Sequence, residues 1–213
     1  MATNRYMGIW YYFSPASVTW VANRERPLND SSGTVSISSS GNIVLMNGNK
    51  EIIWSSDVTL SLPSHTTARL LNSGNLVLRD TSIGRILWRS HRHPVDSFLP
   101  KMRVSHNPRT NETVALNSWR SLQDPGHGNF TSGIHALGIP QIYIWDKGIP
   151  RWRSGPWNGQ ILTGVTDMYS VYVSGFSVGT EVDGTVYFTR SFQQKFLYRD
   201  FLDADGSCGG FLG

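Results

Sequence analysis

Apolar residues along this chain occur in short runs, and the pattern of each run indicates a β-strand. Val35-Ser36-Ile37-Ser38 alternates apolar and polar side chains, as a strand with one face in water does. Leu76-Val77-Leu78 is continuously apolar, which is typical of a short buried strand. Turn-forming residues separate the runs, and no segment has the period of an amphipathic helix. The pattern predicts an all-β fold of short strands, as in a sandwich, barrel, propeller or prism.

Two strands are predicted before these runs, at 5–12 and 17–22, because both stretches are rich in tryptophan, tyrosine, isoleucine and valine. The sequence Ser14-Pro15-Ala16-Ser17 between them predicts a turn.

A repeated unit organises the rest of the chain. Residues 40–45 read SGNIVL and residues 73–78 read SGNLVL, 33 positions further on. The Gly-Asn pair in each copy predicts a turn, because both residues tolerate positive φ. A fixed interval of this size indicates one supersecondary unit that cannot bury its apolar face without its neighbours.

Tryptophans recur at a similar interval, with spacings of 34, 34, 31 and 33 residues. Large indole rings pointing inward would fill the volume that three or more converging sheets leave open. The predicted core tryptophans are Trp20, Trp54, Trp88, Trp119 and Trp152.

Length and composition describe a folded, two-domain chain. Its 213 residues suit two domains of about 100 residues each, and the repeat count favours 1–104 and 105–213. Aromatic residues make up 12% and charged residues only 16%, so the chain has enough apolar surface for a core. The net charge of +4 is scattered without any basic run, which predicts no nucleic-acid partner.

Signals for compartment are mixed. No apolar run reaches the roughly 18 residues of a membrane span, and the N-terminal residues do not have the pattern of a signal peptide. Three N-glycosylation sequons nevertheless favour a secreted ancestry, and their acceptors are Asn29, Asn111 and Asn129. The single cysteine, Cys208, offers no disulfide framework. It is either inert or left unpaired because its partner is missing.

Motifs that suggest catalysis or metal binding have simpler explanations. Gly175-Phe176-Ser177-Val178-Gly179 matches a nucleophile elbow, but a hairpin pattern follows where a helix is needed. His91 and His93 lack a third ligand at useful spacing and are predicted to be a solvated loop pair. No phosphate-binding loop or kinase signature occurs. We therefore predict no catalytic residue, no metal and no cofactor.

Several longer motifs resemble one family. Arg5 to Tyr11 (RYMGIWY), Val18 to Leu28 (VTWVANRERPL), Ser73 to Asp80 (SGNLVLRD) and His93 to Pro100 (HPVDSFLP) are similar to the bulb-type lectin domain of plant S-domain receptors. Further on, Ser118 to Ser121 (SWRS) and Trp152 to Gly159 (WRSGPWNG) resemble the S-locus glycoprotein region that follows the lectin in that family. The resemblance runs from Arg5 to about Gly206, and the last six residues depart from it.

The resemblance implies a β-prism of three four-stranded sheets around a pseudo-threefold axis, followed by a second lectin-like β domain. It also implies an extracellular or plasma-membrane-associated location. Complete receptors of this family continue into a cysteine-rich portion, a membrane span and a Ser/Thr kinase. The chain is accordingly expected to be truncated at both ends relative to them.

Mannose-binding members of the family carry Gln-x-Asp-x-Asn-x-Val-x-Tyr, whose polar groups converge on sugar hydroxyls. The corresponding positions in one repeat are Ser38, Ser40, Asn42, Val44 and Met46, and in the next they are Leu71, Ser73, Asn75, Val77 and Arg79. Only the asparagine and the valine are kept, so the carboxylate that would form the strongest bonds is absent. Mannose binding is therefore predicted to be lost, and turn and core roles explain the two kept residues.

We therefore predict a non-enzymatic recognition module, similar to the ectodomain of S-domain receptor kinases, whose family roles include recognition of pollen and cell-surface signalling. A protein or peptide is the expected ligand, a glycan is an alternative, and a dimer through the ectodomain is compatible with the family. The predicted contact regions are Arg85, Arg89, Arg92 and His93, together with residues 145–152. The other hypotheses are a lectin with a non-standard sugar site and a decayed fragment without ligand.

Overall fold

The computed structural model describes residues 4–59, 65–136, 138–165, 168, 175–191 and 198–212. Within them the chain forms nineteen β-strands and one three-residue 3-10 helix at Ser90–Arg92, which confirms the all-β prediction. The strands are β1 Gly8–Tyr11, β2 Ser14–Val21, β3 Thr34–Ile37, β4 Ile43–Met46, β5 Ile52–Ser55, β6 Thr66–Leu70, β7 Leu76–Asp80, β8 Ile86–Arg89, β9 Ser97–Phe98, β10 Arg103–His106, β11 Thr113–Val114, β12 Leu116–Ser121, β13 Asp124–His135, β14 Gln141–Asp146, β15 Ile149–Arg153, β16 Phe176–Thr180, β17 Val186–Arg190, β18 Tyr198–Leu202 and β19 Cys208–Leu212.

The chain divides into two compact units, Met1–His93 and Pro94–Gly213. The predicted boundary between residues 104 and 105 stays a prediction.

The part of the first unit that the structure describes forms three small antiparallel sheets in chain order, β1-β2, β3-β4-β5 and β6-β7-β8. Each of the two three-stranded sheets contains one copy of the repeated unit, so sequence repetition produces repeated structure. Within the described residues the sheets have two, three and three strands, fewer than the four that the family resemblance implies. Arg5 and Leu28 pair only as an isolated bridge beside them.

Three tryptophans, one from each sheet, pack together in this unit. The ring centroids of Trp20, Trp54 and Trp88 are 5.7, 5.8 and 5.7 Å apart, and each pair is edge to face. Edge-to-face packing places the positive edge of one ring on the negative face of the next. The indole N–H of Trp20 is satisfied by the carbonyl of His93 at 2.9 Å. The repeat period thus brings three equivalent rings to one point, the arrangement expected of a β-prism.

The described residues of the second unit form two four-stranded sheets and one three-stranded sheet. Their strand orders are β12-β13-β14-β15, β11-β10-β17-β16 and β19-β18-β9. The core contains apolar side chains from all three sheets, among them Ile144, Phe188 and Leu202.

A buried ion pair joins distant parts of the second unit. The guanidinium of Arg199 donates to Asp96 at 2.8 Å and to the hydroxyl of Ser97 at 2.8 Å. The Ser97 hydroxyl in turn donates to Asp96 at 2.9 Å. Because each group has a partner, the low-dielectric interior tolerates the two charges.

The prediction that all five repeat tryptophans meet at one core is wrong for Trp152. Its side chain is 42% exposed, because β15 is the outer strand of its sheet and is exposed along its whole length. Trp119 is partly buried in β12, and its indole N–H has no hydrogen-bond partner among the described residues.

The predicted turn at residues 14–17 is also wrong. The chain reverses at Tyr12 and Phe13 instead, since Tyr11 pairs with Ser14, and Pro15 lies within β2. A two-stranded sheet has two edges, and an edge strand tolerates a proline that cannot donate to a ladder.

Candidate functional site

The mannose-site positions of the first repeat lie around the turn between β3 and β4. Val44 is buried in the core, and Ser38 and Ser40 bond to each other at 2.8 Å between their hydroxyls. Met46 pairs with Thr34 at the far end of the strand pair.

The side-chain amide of Asn42 is fully used by the fold. Its carbonyl oxygen accepts from the Ser56 hydroxyl at 2.8 Å and from the Val58 backbone N–H at 2.7 Å. Its amino group donates to the Val58 carbonyl at 3.0 Å. Asn42 is buried, so these bonds replace the water that it loses on folding. A sugar hydroxyl would have to displace them.

The second repeat uses Asn75 in a similar but looser way. The carbonyl oxygen of its side chain accepts from the Ser90 hydroxyl and from the His91 backbone N–H, both at 3.3 Å. Val77 is buried in the core, whereas Arg79 is exposed on β7. The remaining positions of this repeat, Leu71 and Ser73, lie partly buried at the turn before β7.

The predicted contact positions in the connection around β8 lie at the surface. Arg85, Arg89, Arg92 and His93 are exposed. The His93 ring stacks on Trp88 with centroids 5.3 Å apart.

His91 lies in a different environment from His93, so the prediction of a solvated pair is wrong. It is buried in the 3-10 helix, and its Nε2 has no hydrogen-bond partner among the described residues. Burial, together with the charge of nearby Arg89, lowers the pKa of His91 to about 4. The part of the chain that the structure describes contains no group of three or more potential metal ligands.

The hairpin of β14 and β15 contains the second predicted contact region. Lys147 and Gly148 form its two-residue turn with φ of 48° and 84°, as in a type I′ turn. Strand alternation then places Tyr143 and Trp145 on one side of the sheet. Their rings stack with centroids 5.4 Å apart and planes at 15°.

Neighbouring strands extend this aromatic pair into a surface. His135 on β13 contacts Tyr143 at 5.2 Å between ring centroids. Gly133 pairs with Tyr143 and is buried, and a Cβ atom there would lie 3.0 Å from the Ala115 Cβ and 3.7 Å from the Trp145 ring. We call the side formed by Gly133, His135, Tyr143, Trp145 and Arg153 the aromatic face.

Polar groups border the aromatic face on both sides. Arg153 on β15 pairs with Tyr143 on β14, and its side chain is exposed. On the other side Thr131 pairs with Trp145, and Asn117 pairs with Thr131. The side-chain carbonyl of Asn117 lies 2.7 Å from His127 Nδ1. The face therefore combines partly exposed rings with a cation at one border and hydrogen-bonding groups at the other.

Sequence reasoning identified residues 145–152 but missed Gly133, His135, Tyr143 and Arg153. The available signal was the two-residue spacing of Tyr143 and Trp145, which places both rings on one side of a strand. The neighbours on β13 and β15 depend on pairing register, which the sequence pattern alone does not fix.

The other predicted positions are placed as follows. The three sequon asparagines, Asn29, Asn111 and Asn129, are all exposed. Ser177 lies in the β16–β17 hairpin opposite Thr189, so the strand–turn–helix geometry of a nucleophile elbow is absent there. Cys208 is exposed at the surface. Partial desolvation, together with the negative charges of Asp200 and Asp203, raises the pKa of its thiol to about 11.

Among the described residues there is no helix with the length and hydrophobicity needed to cross a bilayer.

Comparison with known proteins agrees with this architecture. Residues 17–120 match the D-mannose binding lectin family, and residues 152–211 match the S-locus glycoprotein domain. The second match continues past Cys208, where the resemblance was predicted to end. The three tryptophans packed between small sheets therefore belong to a lectin-type domain, and an S-locus glycoprotein domain follows it.

Similar proteins in Arabidopsis thaliana share both parts. The chain is 40% identical over 214 residues to the G-type lectin S-receptor-like serine/threonine-protein kinase At1g11300, covering 97% of this chain and 26% of the relative. It is 41% identical over 196 residues to the kinase of the same class named B120, covering 88% and 23%, and 39% identical over 211 residues to SD1-13, covering 97% and 25%. The chain belongs to this G-type lectin and S-locus glycoprotein family. It spans about a quarter of the length of the curated relatives it matches.

Proposed function

We propose that this chain is a non-enzymatic extracellular recognition module that contributes to ligand perception in a cell-surface receptor. The observation that carries the proposal is the match of nearly the whole chain to one segment of S-receptor-like kinases. The two family models that match, lectin and S-locus glycoprotein, are different from a kinase domain. Exposed sequon asparagines support passage through the secretory pathway.

Recognition would use the surface of a rigid β scaffold. The tryptophan cluster fixes the first unit, and the buried Asp96–Arg199 pair connects distant segments of the second. Exposed aromatic and arginine side chains are the residue types that most often dominate protein-binding energy. A protein or peptide ligand is therefore favoured, and recognition of pollen and cell-surface signalling are the family roles that such a module would serve.

Mannose binding through the family's motif is not part of the proposal. In both repeats three of the five motif positions have lost their group, namely the glutamine amide, the aspartate carboxylate and the tyrosine phenol. The Asn42 amide is occupied within the fold. A lectin with a non-standard sugar site is the second candidate, and the aromatic face is the observation that favours it.

A decayed fragment without ligand is the third hypothesis. Its supporting observation is the β1–β2 sheet, where Trp10, Tyr12 and Phe13 are 54%, 97% and 53% exposed. Exposed apolar residues beside unpaired strand edges promote aggregation. This hypothesis predicts that the secreted chain aggregates and melts without cooperativity.

Ligand-dependent stabilisation tests the proposal. The chain, secreted with its glycans, is melted in the presence of panels of secreted peptides, neutral glycans and free mannose. A ligand at one hundred times its Kd should raise the free energy of unfolding by about 2.7 kcal/mol and shift the melting temperature by several degrees. We expect a shift with an extracellular ligand and none with mannose. Mannose-dependent stabilisation that Asn42→Ala removes would contradict the proposal, as would an aggregated chain.

A further inference from the structure

The β1–β2 sheet has a place for one more strand. Its core tryptophan, Trp20 on β2, meets the equivalent Trp54 on β5 and Trp88 on β8 in the tryptophan cluster. In the other two sheets the strand next to the tryptophan strand has a second neighbour, since β3 lies beside β4 and β6 beside β7. Among the described residues β1 has no such neighbour. The edge of β1 that faces away from β2 is therefore open.

The hydrogen-bonding groups at this edge belong to Gly8 and Trp10. Met7 faces β2, because its carbonyl accepts from the Ala22 N–H at 2.9 Å. Ile9 faces β2 as well, since backbone groups alternate in direction along an antiparallel strand. The register shifts of this pair add residues to β2 and not to β1, so the alternation continues through β1. The N–H and C=O groups of Gly8 and Trp10 consequently point to the open edge.

The two edges of this sheet differ in their protection against further pairing. Lysine and proline are the usual residues that keep a strand edge from pairing with another chain. The strand β2 contains Pro15, which cannot donate a hydrogen bond to an added strand. The strand β1 contains no proline, and the sequence has no charged residue from Tyr6 to Ala22. The open edge of β1 is therefore competent to pair.

We propose that the open edge of β1 pairs with the same edge of a second copy of the chain. The two β1 strands run antiparallel across a two-fold axis at Ile9. Gly8 of each copy then lies opposite Trp10 of the other, and each opposed pair exchanges two N–H···O bonds. A four-stranded sheet results, in the order β2-β1-β1-β2. This interface goes beyond the proposed function and does not depend on the nature of the ligand.

This register suits the side chains on both sides of the sheet. Ile9 lies opposite Trp20, so it is on the core side, where it is only partly buried. In the dimer the two Ile9 side chains face each other across the axis, with Cβ atoms about 5 Å apart. On the outer side the Trp10 ring of each copy covers Gly8 of the other. A large ring opposite a glycine compensates for the missing side chain in a sheet.

Charge favours a second copy over another protein at this edge. The chain has a net charge of +4, yet the edge and the turn after it are uncharged. Two copies therefore meet there without repulsion between like charges. An acidic or basic partner would find no group of opposite sign at the contact.

The exposed aromatic area fits a weak, reversible dimer. Trp10, Tyr12 and Phe13 are 54%, 97% and 53% exposed. An aromatic side chain buries about 150 to 250 Å² when covered, so these three would bury roughly 400 Å² per copy, or about 800 Å² in the dimer. A total below about 1,200 Å² is typical of transient complexes. Once paired, the dimer has only the β2 edges with Pro15 outside, so this sheet does not extend further.

Sedimentation velocity of the full, glycosylated chain between about 1 and 200 µM tests the dimer. We expect a reversible monomer–dimer equilibrium with a Kd of roughly 10 to 100 µM and no larger species. Trp10→Lys should raise the Kd at least about tenfold, because it removes the ring and adds a cation at the edge. Trp152→Lys is the matched control, since it makes the same change at an exposed tryptophan of another outer strand. It should leave the Kd within about twofold.

Cysteine cross-linking tests the register. In a Cys208→Ser background, Ile9→Cys should form an interchain disulfide in a glutathione redox buffer, because the two residues at the axis have Cα atoms about 4.5 Å apart. Trp10→Cys is the matched control, since its two copies lie diagonally at about 8 Å, too far for a disulfide. Melting temperatures of the variants in reducing buffer check that the first unit still folds.

A chain that stays monomeric up to about 200 µM would overturn the inference, as would a dimer that Trp10→Lys leaves intact. Equal cross-linking of Ile9→Cys and Trp10→Cys would contradict the proposed register. Open-ended aggregates in place of a dimer would also overturn the inference and support the decayed-fragment hypothesis. If an extracellular ligand stabilises a chain that does not dimerise, only this inference fails.

Discussion

At the scale of single residues, His91 links folding to pH. Its pKa of about 4 in the folded state is below the ordinary value of 6.5, so protonation favours the unfolded chain. The stabilisation is fully present above about pH 6.5 and is lost as the pH falls toward 4. Between these values we expect the free energy of unfolding to fall by about 2 to 3 kcal/mol from this group.

Urea unfolding at several pH values between 7 and 4.5 measures this effect. His91→Gln should reduce the slope of the profile over this range, because the buried group with the largest shift is removed. Part of the slope should remain, since burial and the charge of Arg92 also lower the pKa of His93. His65→Gln, at an exposed position, should leave the profile unchanged. If the His91→Gln variant shows the same pH profile as the wild-type chain, the pH dependence comes from other groups.

Asn42 and Asn75 occupy equivalent places in two repeats but differ in bonding. Asn42 takes part in three bonds of 2.7 to 3.0 Å, whereas Asn75 accepts two of 3.3 Å. Asn42→Ala would leave buried groups unpaired and should cost about 2 to 3 kcal/mol, and Asn75→Ala about 1 kcal/mol. Urea unfolding followed by tryptophan fluorescence measures both. Equal losses would mean that bond length does not distinguish the two repeats.

At the scale of secondary-structure elements, the β14–β15 turn contains a residue with an unfavourable backbone conformation. Lys147 has a φ of 48°, a region that asparagine and glycine adopt more readily than lysine. Lys147→Asn should therefore stabilise the chain by about 0.5 to 1 kcal/mol, measured by urea unfolding. Gly148→Ala, at a φ of 84°, should act in the opposite direction. Destabilisation by Lys147→Asn would indicate that the lysine side chain contributes more than its backbone costs.

Elements whose signals are local were predictable from the sequence. The hairpin at residues 176–190 follows from two apolar runs around Asp183-Gly184, and the structure confirms it. The turn at Gly41 was also predictable, although only the glycine has positive φ, at 81°. The turn at Tyr12 and Phe13 was missed because proline is a strong turn signal, and the pattern does not reveal that β2 lies at an edge.

At the scale of the whole molecule, the tryptophan cluster determines which substitutions are tolerated. Trp20→Ala would create a cavity among three packed rings and remove the bond to His93, so we expect a loss of about 3 to 5 kcal/mol. Trp152→Ala removes an exposed ring and should cost about 1 kcal/mol or less. Thermal unfolding with near-ultraviolet circular dichroism measures both. Similar losses would contradict the different environments of the two residues.

The interval between tryptophans predicted packed rings along the whole chain, and the prediction is right only for the three rings of the first unit. In the first unit each repeat forms one sheet, so equal spacing in sequence becomes equal position in space. In the second unit Trp119 and Trp152 lie on β12 and β15 of the same sheet. Two residues of one sheet cannot occupy the equivalent positions that one tryptophan from each of several sheets occupies in the first unit. The aromatic face was only half predicted for a related reason. Its borders depend on register, including the irregularity between Ile144 and Trp145.

The pairing of β9 with β18 has a consequence for synthesis on the ribosome. Asp200 pairs with Phe98, so this sheet joins segments about a hundred residues apart, and closing so long a loop is slow. The Trp20–Trp54–Trp88 assembly needs only hairpins that emerge one after another. The nascent chain can therefore fold its N-terminal unit before the last strands of the second unit have been synthesised. During translation, protease protection should appear first in the N-terminal unit and later in the second unit.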